Sequence, residues 1–169
     1  MSKTNTFSLF SNETVYLSDK ESVSEIFEEV SQDLVQKGLV HPSFFEHLIL
    51  REEEYPTGID LSVVHANLPN IAIPHTESDY VNVNRIVPVK LLHPVTFHNM
   101  ILPDQTIEVS FLFMILNKNG AEQAGLLAQI MDFIQSVTPQ ELKHFFELTD
   151  VNKIYQFIEM NFKEEKEND

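Results

Sequence analysis

The chain of 169 residues contains no cysteine. It can therefore form no disulfide, bind no zinc through a thiolate and use no thiolate as a nucleophile. Seven histidines are present, and an imidazole is the other side chain that readily forms a covalent intermediate near neutral pH. If the protein carries out covalent chemistry, we expect histidine to be the nucleophile.

Basic residues are also scarce. The chain has 11 Lys and Arg against 26 Asp and Glu, which gives a formal net charge of -15 at pH 7. This charge argues against binding to nucleic acid or to an anionic membrane surface. It favours solubility or a basic partner, although the sign of the charge does not name that partner.

Long apolar runs are missing. None approaches the roughly 18 residues that a membrane-spanning helix needs, and the N-terminus lacks the basic-then-apolar layout of a signal peptide. We therefore expect a cytoplasmic protein that does not span a membrane. The length and the 43% apolar content fit one domain over residues 1–169, with loose polar ends at 1–6 and 163–169.

Helix signals recur along the chain. Ser22-Val23-Ser24-Glu25 is a capping box, and apolar residues follow it at helical spacing. This pattern predicts a helix over about 22–37 that ends at Gly38. The other predicted helices cover about 42–54, 121–135, 139–147 with Thr138 as N-cap, and the segment from Asp150 to 162.

Runs of β-favouring residues lie between these helices. Residues 107–116 form the longest one, and its apolar character predicts a central strand covered on both faces. Shorter extended segments are predicted twice within 6–17 and at 70–73, 86–92 and 95–97. The fold class that follows is α/β, with a mixed parallel and antiparallel sheet and helices on both faces.

The strongest site signal is the stretch Ile71-Ala72-Ile73-Pro74-His75-Thr76-Glu77. Pro74 lacks a backbone N–H and has a fixed φ, so the preceding strand should stop there and leave His75 facing solvent. A neutral imidazole keeps one nucleophilic nitrogen while a hydrogen bond orients the other. From these residues alone, a turn histidine without a role remains the alternative.

Two further features precede this stretch. Arg51-Glu52 lies at the end of a predicted helix, and Pro56-Thr57-Gly58-Ile59 follows it. On the residues alone, Arg51 with three glutamates after it is typical of a solvated helix end. Thr57 between proline and glycine is typical of a turn.

Taken in order, these features and the later Pro94-Val95-Thr96-Phe97-His98-Asn99-Met100 resemble a known family. They are similar to the enzyme IIA domains of the fructose and mannitol type in the bacterial phosphoenolpyruvate-dependent sugar phosphotransferase system. The spacing resembles the galactitol-type branch most. The resemblance covers about 10–160 and implies the α/β sandwich of that family.

The resemblance implies a phosphotransferase component that carries a phosphoryl group without a cofactor or a metal. His75 matches the phosphorylated histidine, which accepts the phosphoryl group from the carrier HPr and passes it to a cysteine of enzyme IIB. Arg51 matches an arginine close to that histidine, where a guanidinium fork suits phosphoryl oxygens better than an ammonium. Thr57 is expected to hydrogen-bond a phosphoryl oxygen or the ring nitrogen, and Gly58 to permit close backbone approach.

One departure from the mannitol-type members concerns their second histidine. The matching place here reads Gly120-Ala121-Glu122-Gln123. Gln123 can donate a hydrogen bond to a phosphoryl oxygen but cannot carry a positive charge, so more of the stabilisation would rest on Arg51 and backbone amides.

Other candidates are weaker. Glu77 can shape the environment of the ring, although a plain turn carboxylate is favoured, and His65 is a minor candidate for a second imidazole. The remaining histidines show no metal-site spacing and are interpreted as structural or surface residues: His41, His47, His93, His98 and His144.

The resemblance leaves alternatives to sugar uptake. The chain can be a regulatory module whose phosphorylation controls a regulator, or a non-catalytic α/β binding domain in which Pro74-His75 is only a turn. The sugar itself cannot be named from this sequence, because the membrane component binds it. For a carrier with transient partners, we expect a small apolar docking surface around His75.

Overall fold

The computed structural model describes residues 9–120 and 123–163, with the side chains of 123 and 124 outside that description. Within these residues the strands are β1 (Tyr16–Ser18), β2 (Gly58–Ile59), β3 (Asn70–Ala72), β4 (Arg85–His98) and β5 (Thr106–Leu116). The α-helices are α1 (Val23–Gln36), α2 (Phe44–Glu54), α3 (Gln123–Ser136), α4 (Pro139–Glu147) and α5 (Val151–Asn161). Short 3-10 turns lie at Leu61–Val63 and Ser78–Tyr80.

The five strands form one mixed sheet in the order β1-β4-β5-β3-β2. β1 runs parallel to β4 and β3 runs parallel to β5, whereas the β4–β5 and β2–β3 pairs are antiparallel. The mixed sheet predicted from the sequence is therefore confirmed. β5 pairs on both sides and is buried along its second half, as its apolar run predicts.

Helices cover both faces of the sheet. On one face, α1 and α2 pack Phe27 and Leu48 against a cluster that includes Leu112. On the other face, α3, α4 and α5 pack against Phe111 and Phe113, and edge-to-face aromatic contacts are frequent there. Because buried apolar area is the main source of folding free energy, these two clusters hold the helices to the sheet.

Capping residues mark the starts and ends of the helices where the sequence indicates. The Ser22 hydroxyl accepts a hydrogen bond from the backbone N–H of Glu25 at 3.2 Å, and Thr138 caps α4 in the same way. The Asp150 carboxylate accepts from two backbone N–H groups at the start of α5. Gly38 follows α1 with φ of 74°, a conformation that costs glycine little.

The structure differs from the sequence prediction at the start of α2 and in β4. α2 begins at Phe44 because the preceding Pro42 lies in a turn. The two extended segments predicted within 86–97 form the single strand β4, whose pairing with β5 shifts between Lys90 and Val95. Pro94 lies in that shift, where its missing N–H breaks no regular ladder.

The N-terminal prediction is confirmed only in its second half. Residues 16–18 form β1, whereas the described part of the first predicted strand is not extended into a ladder. Instead, the Leu9 carbonyl accepts a hydrogen bond from the Ile86 N–H at 2.7 Å. The loose ends predicted at 1–6 and beyond 163 lie outside the described residues.

The sheet brings several chain segments to one edge. β3 and β5 are parallel, so their carboxyl ends lie side by side, and β2 begins at the same edge because it runs antiparallel to β3. α2 ends just before β2 and therefore reaches this edge as well. Among the described residues, no helix has the length and apolar character needed to cross a membrane.

Candidate active site

His75 lies immediately beyond β3, at the edge where β3 and β5 end. Pro74 offers its carbonyl to the N–H of Ile115 at 2.9 Å, and His75 itself forms an isolated parallel bridge with Ile115. The strand thus ends before the proline, as the sequence predicts. The side chain of His75 is partly buried and so less open than expected.

One ring nitrogen of His75 is held by the backbone. Nδ1 lies 2.9 Å from the carbonyl oxygen of Ile73. A carbonyl oxygen only accepts, so Nδ1 carries the proton and Nε2 is left with a lone pair. This is the tautomer that a nucleophilic Nε2 requires.

The surroundings of His75 favour its neutral form. Burial lowers the pKa of His75, and the charge of Arg51 lowers it further. The Ile73 hydrogen bond and the charge of Glu77 act in the opposite direction. Because the first effect is the largest, the imidazole remains neutral and nucleophilic at neutral pH.

Arg51 lies in the last turn of α2 and its charge reaches His75. Its Nη1 donates to Oε2 of Glu77 at 2.9 Å, and its guanidinium carbon lies 4.4 Å from the centroid of the Tyr55 ring. The Nε atom is buried and has no hydrogen-bond partner among the described residues. The guanidinium, with five N–H donors, therefore has more donors than its hydrogen bond to Glu77 uses.

Glu77 is more than the turn carboxylate that the sequence favours. A hydrogen bond from its own backbone N–H lowers the pKa of Glu77, and the ion pair with Arg51 and the charge of His47 lower it further. The carboxylate is half exposed, with 52% of the side chain accessible. Glu77 is thus an anion that pairs with Arg51 and also experiences the charge of His47.

Thr57 occupies a different place from the one expected. It is buried, its hydroxyl donates to Oε1 of Glu52 at 2.7 Å, and its backbone N–H donates to Oε2 of Glu52 at 2.8 Å. The expected contact with the ring of His75 is thus replaced, because that ring nitrogen is bonded to Ile73 and the hydroxyl proton is used by Glu52. A hydrogen bond from Thr57 to a phosphoryl oxygen stays a prediction.

Glu52 directly follows Arg51 on α2, and the sequence does not single it out as a titratable residue of interest. Burial raises the pKa of Glu52 to about 7, although both hydrogen bonds from Thr57 and the charge of His98 oppose this. The carboxylate lines a cavity of about 310 Å³ between α1, α2 and the end of β4. Three successive glutamates look alike in the sequence, and only helix rotation turns Glu52 inward.

Gly58 permits a close backbone approach, but the approaching group belongs to the protein. A Cβ atom at Gly58 would lie 2.6 Å from the carbonyl oxygen of His98 and 3.0 Å from Cδ1 of Ile107. The Gly58 carbonyl also accepts from the N–H of Met100 at 2.8 Å. The residue therefore lets β2 lie directly against the β4–β5 hairpin.

The structure does not bring His65 to His75. His65 precedes β3 and His75 follows it, so the two lie at opposite ends of that strand. His65 instead lines a surface pocket together with Lys143 of α4. This placement gives no support to His65 as a second imidazole at His75, and that role stays a prediction.

Gly120, which precedes α3, lies near the loop that follows His75. A Cβ atom at Gly120 would meet Oγ of Ser78 at 3.5 Å, which places this residue beside the segment that follows the histidine. Gln123 begins α3, but its side chain lies outside the described part of the chain. Its hydrogen bond to a phosphoryl oxygen stays a prediction. In residues 9–120 and 123–163, no group of histidine and carboxylate side chains could hold a metal ion.

Comparison with known proteins gives the family. The model of the family described as "Phosphoenolpyruvate-dependent sugar phosphotransferase system, EIIA 2" matches residues 8–161. The chain belongs to this EIIA family. It is accordingly a component of a sugar phosphotransferase system, as its resemblance to the family implies.

Curated relatives of this EIIA protein include the galactitol-specific EIIA component of Escherichia coli strain K12. The two chains are 29% identical over 132 residues, which cover 73% of this chain and 84% of the relative. This relative is galactitol-specific, which agrees with the galactitol-type branch that the Pro94-Val95-Thr96-Phe97 pattern indicates.

Solved structures share the fold of this EIIA protein. The mannitol IIA of Escherichia coli has a TM-score of 0.67 at 17% identity and covers 88% of this chain and 97% of its own. A complex of mannitol enzyme IIA with phosphorylated enzyme IIB from the same organism gives 0.66 at 19% identity, with 90% and 99% covered. The predicted α/β sandwich of the family is confirmed by these likenesses.

Proposed function

We propose that this protein is a phosphoryl carrier whose His75 accepts a phosphoryl group from phospho-HPr and passes it to a cysteine of a cognate enzyme IIB. It would act in the cytoplasm during carbohydrate uptake, with residues 1–169 as a single domain. The observation that carries the proposal is the hydrogen bond from Nδ1 of His75 to Ile73, which leaves Nε2 as the nucleophile. Galactitol or a related polyol is the proposed carbohydrate, by similarity to the galactitol-specific relatives.

The transfer needs no general base at His75. The Nε2 lone pair attacks phosphorus, and the P–N bond to the HPr histidine breaks with its electron pair returning to that ring. Both rings keep the proton on the nitrogen remote from phosphorus, which at His75 is the Nδ1 proton held by Ile73. In the second step, the cysteine thiolate of enzyme IIB attacks phosphorus and the P–Nε2 bond breaks.

Arg51 is proposed to stabilise the phosphoryl group. Phosphoryl transfer depends mainly on in-line positioning and on charge stabilisation of the equatorial oxygens. The charge of Arg51 already acts on His75, and its Nε donor is buried without a partner among the described residues. The terminal N–H groups of the guanidinium are the donors that would hold the phosphoryl oxygens.

The surface beside Arg51 fits a transient protein partner. Leu50 precedes Arg51 on α2, and Tyr55 directly follows the helix. The two residues are 55% and 58% exposed. Exposed apolar side chains around a reactive group allow weak docking through a small interface. The solved complex of mannitol enzyme IIA with phosphorylated enzyme IIB supports an enzyme IIB as one such partner.

Intact mass after incubation with phosphoenolpyruvate, enzyme I and HPr tests this proposal. We expect the wild type to gain one phosphoryl group and His75→Ala to gain none. His65→Ala is the matched control, because His65 lies at the far end of β3, and it should gain one group. A gain that persists in His75→Ala would show that another residue is phosphorylated, and no gain in the wild type would overturn the function.

A further inference from the structure

Asn117, which directly follows β5, has a buried side-chain donor without a partner. Only 3% of the residue is accessible, and its Nδ2 has no hydrogen-bond partner in the part of the chain that the structure describes. Its Oδ1 accepts from the backbone N–H of Asn119 at 3.1 Å, so the acceptor half of the amide is used and the donor half is not. Leaving a buried N–H unpaired costs stability, and folded proteins seldom do so.

Strand pairing places Asn117 beside His75. His75 forms a parallel bridge with Ile115, and residues that are bridged directly project from the same face of a sheet. Asn117 lies two residues beyond Ile115, so the alternation along a strand returns it to that face. With the usual spacing of strands and residues, the Cα atoms of His75 and Asn117 are about 8 Å apart.

The burial pattern supports this assignment of faces. Ile73 and Ile115 belong to the apolar cluster beneath α3, α4 and α5, whereas Leu116 belongs to the cluster beneath α1 and α2. His75 follows Ile73 by two residues, and Asn117 follows Ile115 by two. The imidazole and the amide therefore both continue the face that α3 covers.

The turn after β5 holds Asn117 in place. The N–H of Lys118 donates to Oδ1 of Asn84 at 2.7 Å. A Cβ atom at Gly120 would lie 3.5 Å from Oγ of Ser78, which belongs to the loop after His75. The amide of Asn117 is thus fixed at the edge of the sheet where the histidine lies. A donor fixed in advance needs little reorganisation when an acceptor arrives.

A phosphoryl group on Nε2 of His75 would offer the acceptor that Nδ2 of Asn117 lacks. A phosphohistidine and an asparagine side chain together can span a Cα separation of about 8 Å. The charge in phosphoryl transfer is spread over three equatorial oxygens, so more than one donor can act at once. Arg51 belongs to α2, which packs on the other face of the sheet, so the two donors would approach from opposite sides.

We propose that Asn117 is a further catalytic residue: its Nδ2 donates a hydrogen bond to an equatorial oxygen of the phosphoryl group on His75, on the side opposite to Arg51. The inference rests on the proposed function, because this acceptor exists only when a phosphoryl group is present. The donor is unpaired in the unphosphorylated protein and becomes paired during transfer. The hydrogen bond therefore favours the transition state and the phosphorylated state over the free site.

NMR of the Asn117 side-chain amide tests this hydrogen bond directly, before and after the whole chain is phosphorylated by phosphoenolpyruvate, enzyme I and HPr. We expect one amide proton to shift downfield and to exchange more slowly with water, because it enters a charge-assisted hydrogen bond. Asn117→Asp assigns the two signals by removing them, and the exposed amide of Asn119 is the internal control. A shift no larger than that of Asn119 would overturn the inference.

Phosphoryl uptake from phospho-HPr gives an independent readout. Asn117→Asp keeps an oxygen for the Asn119 N–H but removes the donor, and Asn117→Leu has a similar volume without any polar atom. Both should slow uptake about tenfold or more, whereas Asn119→Leu, the same change at an exposed position of the same turn, should follow the wild type.

Both Asn117 variants are needed, because the added charge of aspartate alone can repel a phosphoryl group. A wild-type rate in Asn117→Leu would reduce the effect of aspartate to that repulsion, and a wild-type rate in Asn117→Asp would leave Asn117 only its turn contact. Either result would overturn the inference. Thermal unfolding checks that each variant folds, and the NMR measurement on the wild type decides if Asn117→Leu does not.

The two proposals fail in different ways. If the wild type takes up no phosphoryl group, both are overturned. If it is phosphorylated on His75 while the Asn117 amide does not respond, only the role of Asn117 is wrong.

Discussion

Arg51 and Glu77 form an ion pair of 2.9 Å that joins the last turn of α2 to the loop after β3. Both side chains are partly accessible, at 29% and 52%, so the pair contributes little to folding stability, about 0–1 kcal/mol. Its consequence is positional, because it holds the guanidinium where its charge acts on His75.

Arg51→Lys should impair phosphoryl transfer while leaving the fold intact. An ammonium keeps the charge but loses the planar fork and the Nε donor, so we expect the uptake rate to fall about tenfold or more. Rapid-quench measurement of uptake from phospho-HPr gives the rate, and urea unfolding gives the stability, which should change by less than about 1 kcal/mol. An unchanged rate would remove Arg51 from the mechanism.

His75 should titrate below an ordinary histidine. Burial and the charge of Arg51 disfavour its protonated form, so the midpoint of its NMR titration should lie below about 6.5. Above that pH, protonation of His75 should not slow phosphoryl uptake. Arg51→Gln removes one of these two causes and should move the midpoint upward. A midpoint above the ordinary value in the wild type would contradict the neutral site.

Glu52 should make the protein less stable as the pH rises from about 5 to 7. Its pKa is raised to about 7 in the folded chain, so in this range the folded state binds a proton that the unfolded state has released. The free energy of unfolding contributed by Glu52 is then fully present at low pH and is lost as the pH passes 7.

Glu52→Gln tests this, because a glutamine can accept from the Thr57 N–H and donate to its hydroxyl without titrating. Urea unfolding at several pH values should show that the variant lacks this decline. Parallel pH profiles for variant and wild type would mean that Glu52 titrates normally.

Thr57→Val should destabilise the fold by about 1–3 kcal/mol, since it deprives the carboxylate of Glu52 of a buried donor. Thr57→Ser keeps the hydroxyl and should lose less. Uptake by folded Thr57→Val then tests the predicted hydrogen bond to the phosphoryl group. A rate equal to that of the wild type would refute it and leave Thr57 a structural role.

Gly58→Ala should destabilise the protein by about 1–3 kcal/mol, because its Cβ would lie 2.6 Å from the backbone oxygen of His98. Gly120→Ala is the matched control, since its Cβ would make an ordinary 3.5 Å contact with Ser78. Urea unfolding of both variants gives the comparison. Equal stabilities would show that the sheet edge can relax around the added methyl group.

Local signals in the sequence were sufficient for much of the scaffold. Pro74 predicts the end of β3 and with it the place of His75, and Ser22 and Thr138 predict the starts of two helices. These features depend on neighbours within four residues. The burial of β5 between two layers of helices also follows from a local pattern, because its apolar run requires cover on both faces.

The pairing of side chains across the site was not predictable in this way. Thr57 has the same turn-like neighbours whether its hydroxyl bonds Glu52 or a phosphoryl group. His47 and Glu77 are distant in the sequence, and only the packing of α2 against the loop after β3 brings their charges together. Helix rotation also decides which of three glutamates is partly buried.

The sequence by itself predicted His75 as the candidate nucleophile, its place after a strand and the family, because motifs carry such information in consecutive residues. The tertiary structure alone decided which donors each carboxylate receives and how far His75 is buried. Those properties depend on distances between separate segments, and a linear pattern contains no distances.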